Sequence, residues 1–399
     1  MRNPEFAPFP TDEFVARYKK AQRLMEEQGI DALLLTSKEN VIYFSGLQTI
    51  GWDSKHRPLG VIIPRAEGRE PIMVLAETLF YVARETSWIE ELRPWGGWRY
   101  PSAPSDPVIG IQQAIAELEL TKGTIGMELG YGQRLGMSQS DYSMLVGGLP
   151  DANIVDMGDL LWQLRMIKSP REIEVIRKVC AATTAAFEAG FAAMRAGMTE
   201  KELAGIMFAR MAEETNDRPG FMMVRSGPRK YGMVNVHPFN KPMNKGELVV
   251  VDAGATYKDY WADFMRMASI GEPTAEQRRF FEADLESQKV GVAAVKPGIP
   301  TREIFDASYN VLMETGFAEH ARLERIGHGV GLDVHEPPSI GRGTTTIVQP
   351  GMILTVEPIF SDQPNYQIGN FALEDVVLVT ETGHEVLSLF PKELHVVRT

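Results

Sequence analysis

The chain reads as an α/β protein (α+β in overall class) of two domains. A smaller N-terminal α/β domain is expected over residues 1–160. A C-terminal domain of two similar halves is expected over 161–399. Three observations predict this. At 399 residues the chain exceeds one ordinary hydrophobic core. Short apolar runs alternate with stretches of helical periodicity. A helix-start signature at Ser169-Pro170-Arg171-Glu172 marks a fresh beginning near the middle, within a boundary zone at 150–172.

In the first domain, Phe14, Val15, Tyr18, Ala21, Leu24 and Met25 recur at helical spacing over 12–28, and Gly29 ends the pattern. The run Ala32-Leu33-Leu34-Leu35 follows as a buried strand. Residues 61–63, stopped by Pro64, and residues 73–75 and 124–127 read as further strands, and 109–120 reads as a helix. After the boundary, Ser169 is the expected N-cap of a long helix running towards Ala196, broken by Gly197. Thr199 and Glu202 form a capping-box pattern for the next helix. A related pattern recurs 101 residues later, where Gly298-Ile-Pro-Thr-Arg-Glu-Ile echoes Gly197-Met-Thr-Glu-Lys-Glu-Leu. Two facing halves with a cleft between them are the expectation, and a cleft is a natural place for a site.

Composition narrows the function. Apolar content of 44% and charged content of 24% are those of a soluble globular protein. No apolar run approaches the roughly 18 residues that span a bilayer. The opening Met-Arg-Asn-Pro-Glu-Phe-Ala-Pro lacks the apolar stretch of a secretory signal. The one cysteine, Cys180, lies in an Ala-rich helical pattern and reads as a small core residue, consistent with a reducing cytoplasm. A net charge of −12 argues against nucleic acid as a partner and gives no membrane-binding signal. The 20 methionines read as core filler, and His320, His384 and His395 as surface or packing residues.

Against this background four acidic residues are anomalous. Asp252 ends the apolar run 248–251, and Asp263 enters the expected return strand over 257–267. Glu357 ends the run 352–356, and Glu374 begins the run 376–379. A buried carboxylate costs several kcal/mol unless it is paired or binds a metal. Arg266 is the only nearby cation in these runs, with Lys258 at the far end of 257–267, so four ion pairs cannot be made there. Asp252 and Asp263 are eleven residues apart, a spacing that a hairpin can bring side by side. With His328 of Gly-His-Gly-Val-Gly they make a set of four carboxylates and one imidazole. That donor set suits two hard or borderline divalent cations, which can share and ionise one water.

The same residues carry a resemblance. Arg165-Met-Ile-Lys-Ser-Pro-Arg-Glu-Ile, Gly246-Glu-Leu-Val-Val-Val-Asp252-Ala-Gly, Gly327-His328-Gly-Val-Gly-Leu-Asp-Val-His335-Glu336 and Glu374-Asp-Val-Val-Leu-Val-Thr-Glu-Thr-Gly resemble the creatinase/aminopeptidase P/prolidase family, whose fold is known as pita-bread. The likeness covers nearly the whole chain. It implies that Asp252 holds one metal, that Asp263 and Glu374 bridge two, and that His328 and Glu357 hold the other. It implies Glu357 as general base, and His335 as a histidine that contacts the substrate carbonyl or the tetrahedral intermediate. It further implies manganese, with cobalt, zinc or iron as alternatives, and a homodimer.

Several positions depart from the family pattern. The histidine usual seventeen residues before the first Asp is Asn235 here, and His237 would take its role if the following turn is two residues shorter. The arginine two residues before the last Glu is Ala372, and a serine and a threonine around the second Asp are Ala262 and Met265. In the N-terminal domain, Asn40-Val-Ile-Tyr43-Phe-Ser-Gly46 is similar to the family's strand and turn. The loop after it, Gly51-Trp52-Asp53-Ser54-Lys55-His56-Arg57-Pro58, resembles one that reaches a partner's active site, so Trp52, His56 and Arg57 are candidate substrate contacts. The expected function is a dinuclear-metal hydrolase cleaving Xaa-Pro peptides. A non-peptidase relative acting on a small zwitterion is the alternative: dimethylsulfoniopropionate lyase-like, ectoine hydrolase-like or creatinase-like. A non-catalytic binding module on the same fold is the third reading.

Overall fold

In the computed structural model the described residues are 2–53, 57–317, 320, 324–362 and 365–399. They form two compact units, Met1–Arg165 and Met166–Thr399. Among the described residues, no helix is long and apolar enough to cross a membrane.

The first unit is built on a six-stranded sheet. Its strands lie in the order Glu91–Trp95, Ile72–Ala76, Gly60–Pro64, Ala32–Leu35, Thr124–Met127, Asn153–Asp156. Gly60–Pro64 is antiparallel to both neighbours, and the other pairings are parallel. Leu34, Ile62, Val74 and Ile125 meet Ile111 and Ile115 of helix Pro107–Glu117 in one core. Each such fully buried side chain contributes about 1.5–3 kcal/mol. The expectation of a strand at Asn40–Gly46 is corrected. Lys38–Ser45 is a helix, because the Ser37 side chain accepts from Asn40 N–H and Gly46, at φ +74°, closes the other end on Ile42. Caps at both ends outweigh the strand preference of Val, Ile, Tyr and Phe.

The second unit repeats one scheme. Helices Pro170–Ala193 and Glu200–Thr215 form one pair, and Ala275–Ala294 and Thr301–Glu314 form the other. Ser169 and Thr199 are both N-caps with complete capping boxes. The long helix stops at Ala193, short of Ala196. Gly197 at φ +81° and Gly298 at φ +87° turn each pair, a backbone region that glycine enters without strain. Gly197 N–H donates to Met243 and Gly298 N–H to Val348, both at 2.8 Å. The chain then returns through Gly246 (φ +87°) into strand Leu248–Gly254, and through Gly351 (φ +83°) into strand Ile353–Val356.

Each of these strands has an antiparallel partner. Leu248–Gly254 pairs with Phe264–Ile270 on one side and Phe221–Ser226 on the other, and Ile353–Val356 pairs with Asp375–Val379. The return strand expected over 257–267 therefore starts later, at Phe264. Lys258 and Asp259 both have positive φ and fold 256–261 into a tight hairpin of its own.

Candidate metal centre

Strand pairing places the acidic residues. Asp252 sits opposite Met265, and Asp263 lies two residues before Met265, so alternation puts both carboxylates on one face as diagonal neighbours. In the other half Val356 sits opposite Asp375, so Glu357 and Glu374 flank that pair. Asp252 is thus to its strand what Glu357 is to Ile353–Val356. His328 lies alongside the second strand, where Thr355 N–H donates to its carbonyl at 2.7 Å and its own N–H donates to Thr355 Oγ1 at 3.2 Å.

Ligand atoms of Asp252, Asp263 and Glu374 lie within 4.8 Å of one another, and so do those of His328, Glu357 and Glu374. Asp263, His328 and His335 form a third such group. The His328 Nδ1 lies 2.9 Å from the Gly329 carbonyl, the contact of a protonated Nδ1. Its Nε2 faces Glu357 Oε1 at 3.2 Å and Asp263 Oδ2 at 3.7 Å. A second nitrogen held by a carbonyl is the usual way a ligating imidazole is oriented.

Electrostatics agree with the donor set. Burial pushes the Asp252 carboxyl up to about 7, against the pull of Arg225. Burial, then the neighbouring carboxylates, hold Asp263 and Glu374 well above the usual range. Burial acts the same way on Glu357, but the His328 bond and charge outweigh it and keep that carboxyl low. Asp252 Oδ1 and both Glu374 oxygens are buried with no hydrogen-bond partner among the described residues. Such orphaned oxygens cost several kcal/mol without a cation, so these residues fit a pair of divalent ions.

A cavity of about 670 Å³ opens over Asp252, Asp263, Glu357 and Glu374. His335 is at its edge, with its ring 4.2 Å from that of His328, and His237 and Asn235 also line it. His237 is exposed and is in none of the three ligand groups. Trp52 and Arg57 belong to the first unit, and His56 lies outside the described residues. The Arg57 charge is already met there, by Asp106 at 2.8 Å and Asp141 at 2.7 Å.

Residues beyond the sequence-based set also shape the site. Arg225 and Arg325 line the cavity, so Arg266 is not the sole cation near the carboxylates. Arg266 itself serves Asp375 at 2.8 Å and the Glu374 carbonyl at 2.6 Å. Lys168 pairs with Glu336, next to His335, at 3.0 Å. Fold and site together define a metal-dependent hydrolase.

Residues 174–381 match metallopeptidase family M24, and residues 17–167 match the creatinase/prolidase N-terminal domain. The chain therefore belongs to metallopeptidase family M24 and is an enzyme. It is 29% identical to a Xaa-Pro dipeptidase of Pyrococcus furiosus, over 95% of this chain and 99% of that one. Among solved structures, the dipeptidase PepE of Mycobacterium ulcerans superposes with TM-score 0.83 at 27% identity, covering 98% of this chain and 100% of that one. The Xaa-Pro dipeptidase of Bacillus anthracis gives 0.83 at 25%, covering 96% and 100%.

Proposed function

We propose that this enzyme hydrolyses Xaa-Pro peptides with two divalent cations held by Asp252, Asp263, His328, Glu357 and Glu374. Manganese is the proposed ion, and a homodimer in the cytoplasm the proposed working form. The observation that carries the reading is a pair of ligand groups sharing Glu374, with orphaned buried oxygens on Asp252 and Glu374. The names of the relatives supply the substrate class.

Bound cations would polarise the scissile carbonyl and acidify a water. The chain supplies the rest. Glu357, kept ionised beside His328, accepts the proton released by the attacking water. His335 contacts the substrate carbonyl from the cavity edge, and His237 borders the leaving amine. Asp263 and Glu374 keep the two ligand groups in one frame.

The test is a substrate panel with purified protein and added manganese. Xaa-Pro dipeptides and tripeptides are assayed beside small betaines, with metal content measured in parallel. Turnover of Xaa-Pro peptides with about two metals per chain is expected. Turnover of betaines alone overturns the substrate class, and absence of bound metal overturns the centre.

A further inference from the structure

Arg225 has no evident purpose in the chemistry above. It lies on strand Phe221–Ser226, two residues after Met223, which sits opposite Asp252. Alternation therefore turns Arg225 to the face of Asp252, as its diagonal neighbour. The residue is 3% exposed and lines the cavity over the carboxylates. Its Nη1 donates to the Met233 carbonyl at 3.3 Å, and its Nε is buried without a partner. Among the described residues it makes no ion pair, although the Asp252 and Glu357 carboxylates are near enough to act on its charge.

Charge makes this arrangement informative. Four ionised carboxylates and two divalent cations cancel, so in the loaded site the buried guanidinium has only the acidified water and an entering substrate to bring it negative charge. A desolvated cation of this kind is strongly unfavourable until an anion arrives. The substrate is the group that enters this cavity. In a Xaa-Pro dipeptide the free carboxylate stands two bonds beyond the scissile nitrogen, so it arrives at the cavity wall along with the scissile carbonyl. Ala372, on strand Asn370–Ala372, puts no charge into the site from that strand. Arg325 also lines the cavity but is exposed, so water solvates it without an anion.

We infer that Arg225 is a specificity-determining residue that receives the substrate's carboxylate. This rests on the Xaa-Pro reading for the substrate but not for the binding of the anion. A guanidinium offers a carboxylate two parallel N–H groups, and a charge-assisted bond of this kind changes affinity by roughly 10- to 150-fold.

The experiment compares the wild type with Arg225→Ala and Arg225→Lys, all loaded with manganese and checked for equal metal content. Kinetics use a Xaa-Pro dipeptide and its C-terminal amide. Calorimetry uses N-acetyl-L-proline and its amide, without turnover. Wild type should favour acid over amide in both readouts. Arg225→Ala should lower kcat/KM for the dipeptide about a hundredfold and weaken binding of the acid at least about tenfold, with the amide changed less than about threefold. Millimolar ethylguanidinium should restore dipeptide turnover in Arg225→Ala, and Arg225→Lys should fall in between. Equal losses for acid and amide, or no acid preference in the wild type, overturn the inference. If neither peptide is cleaved while the calorimetric preference holds, the Xaa-Pro reading fails and the role of Arg225 stands.

Discussion

Lys168 and Glu336 form an ion pair at 3.0 Å whose side chains are 2% and 1% exposed. The pair joins two parts of the catalytic unit. The Lys168 N–H donates to Gly351 at 2.9 Å, at the entrance to the strand that ends in Glu357. Glu336 closes the loop after His328, exchanging 2.8 Å backbone bonds with Gly329 and accepting from Asp333 N–H at 3.1 Å. A Cβ at Gly331 would lie 2.7 Å from the Glu336 carboxylate, so that position needs glycine. His335 thus inherits its place from the residue after it.

Removing one partner of a buried pair costs about 3–5 kcal/mol, because the other charge is left unmatched. Lys168→Met should therefore destabilise the catalytic unit by about that amount and lower kcat more than it raises KM, with bound metal unchanged. The double variant Lys168→Met with Glu336→Gln should recover most of the stability. Chemical denaturation and steady-state kinetics check both. A kcat equal to the wild type would show that the pair does not position His335.

Arg266 acts from the opposite face. It is 1% exposed and reaches the carbonyl of Glu374 and the carboxylate of Asp375 together. Outer partners of this sort change metal affinity by roughly 10- to 100-fold. Arg266→Lys keeps the charge and loses the fork, and metal titration should show weaker binding by about that factor. Unchanged affinity would mean that Glu374 is held by its strand alone.

Chelation should be visible in stability. A ligand present at a thousand times its Kd stabilises the folded state by about 4 kcal/mol. For a unit of this size that corresponds to a rise in melting temperature of roughly ten degrees when manganese is restored to the stripped protein. The same addition to Asp263→Asn should produce little shift. Equal shifts in both proteins would place the ions elsewhere.

Cys180 should be inert. It is completely buried, and burial pushes its thiol far above the range in which a thiolate forms. A thiol reagent at pH 8 should label the native protein negligibly and the denatured protein once per chain. Rapid native labelling would contradict the packing around helix Pro170–Ala193.

The carboxylates could be read from the sequence because charge inside an apolar run is conspicuous without any knowledge of neighbours. The caps at Ser169 and Thr199 were equally visible, since the bonds they make span three residues. Arg225, Lys168 and Glu336 were not, because their meaning depends on partners far along the chain. Lys168 and Glu336 are 168 residues apart, and nothing local distinguishes Arg225 from a surface arginine. The segment at 40–46 misled for a different reason. A strand and turn were expected there from the family likeness, while Ser37 and Gly46, which cap a helix through bonds three and four residues long, were left unread.

The two ligand groups sit on corresponding strands of the two halves and share Glu374, yet they are chemically unlike. Asp252, Asp263 and Glu374 offer oxygen alone, whereas His328 brings nitrogen to Glu357 and Glu374. Hard ions favour the former and borderline ions the latter. Such an enzyme would fill in stages and could house two different elements at once. A preparation exposed to mixed metals would then be a population of unlike molecules, and its specific activity would record the history of its supply.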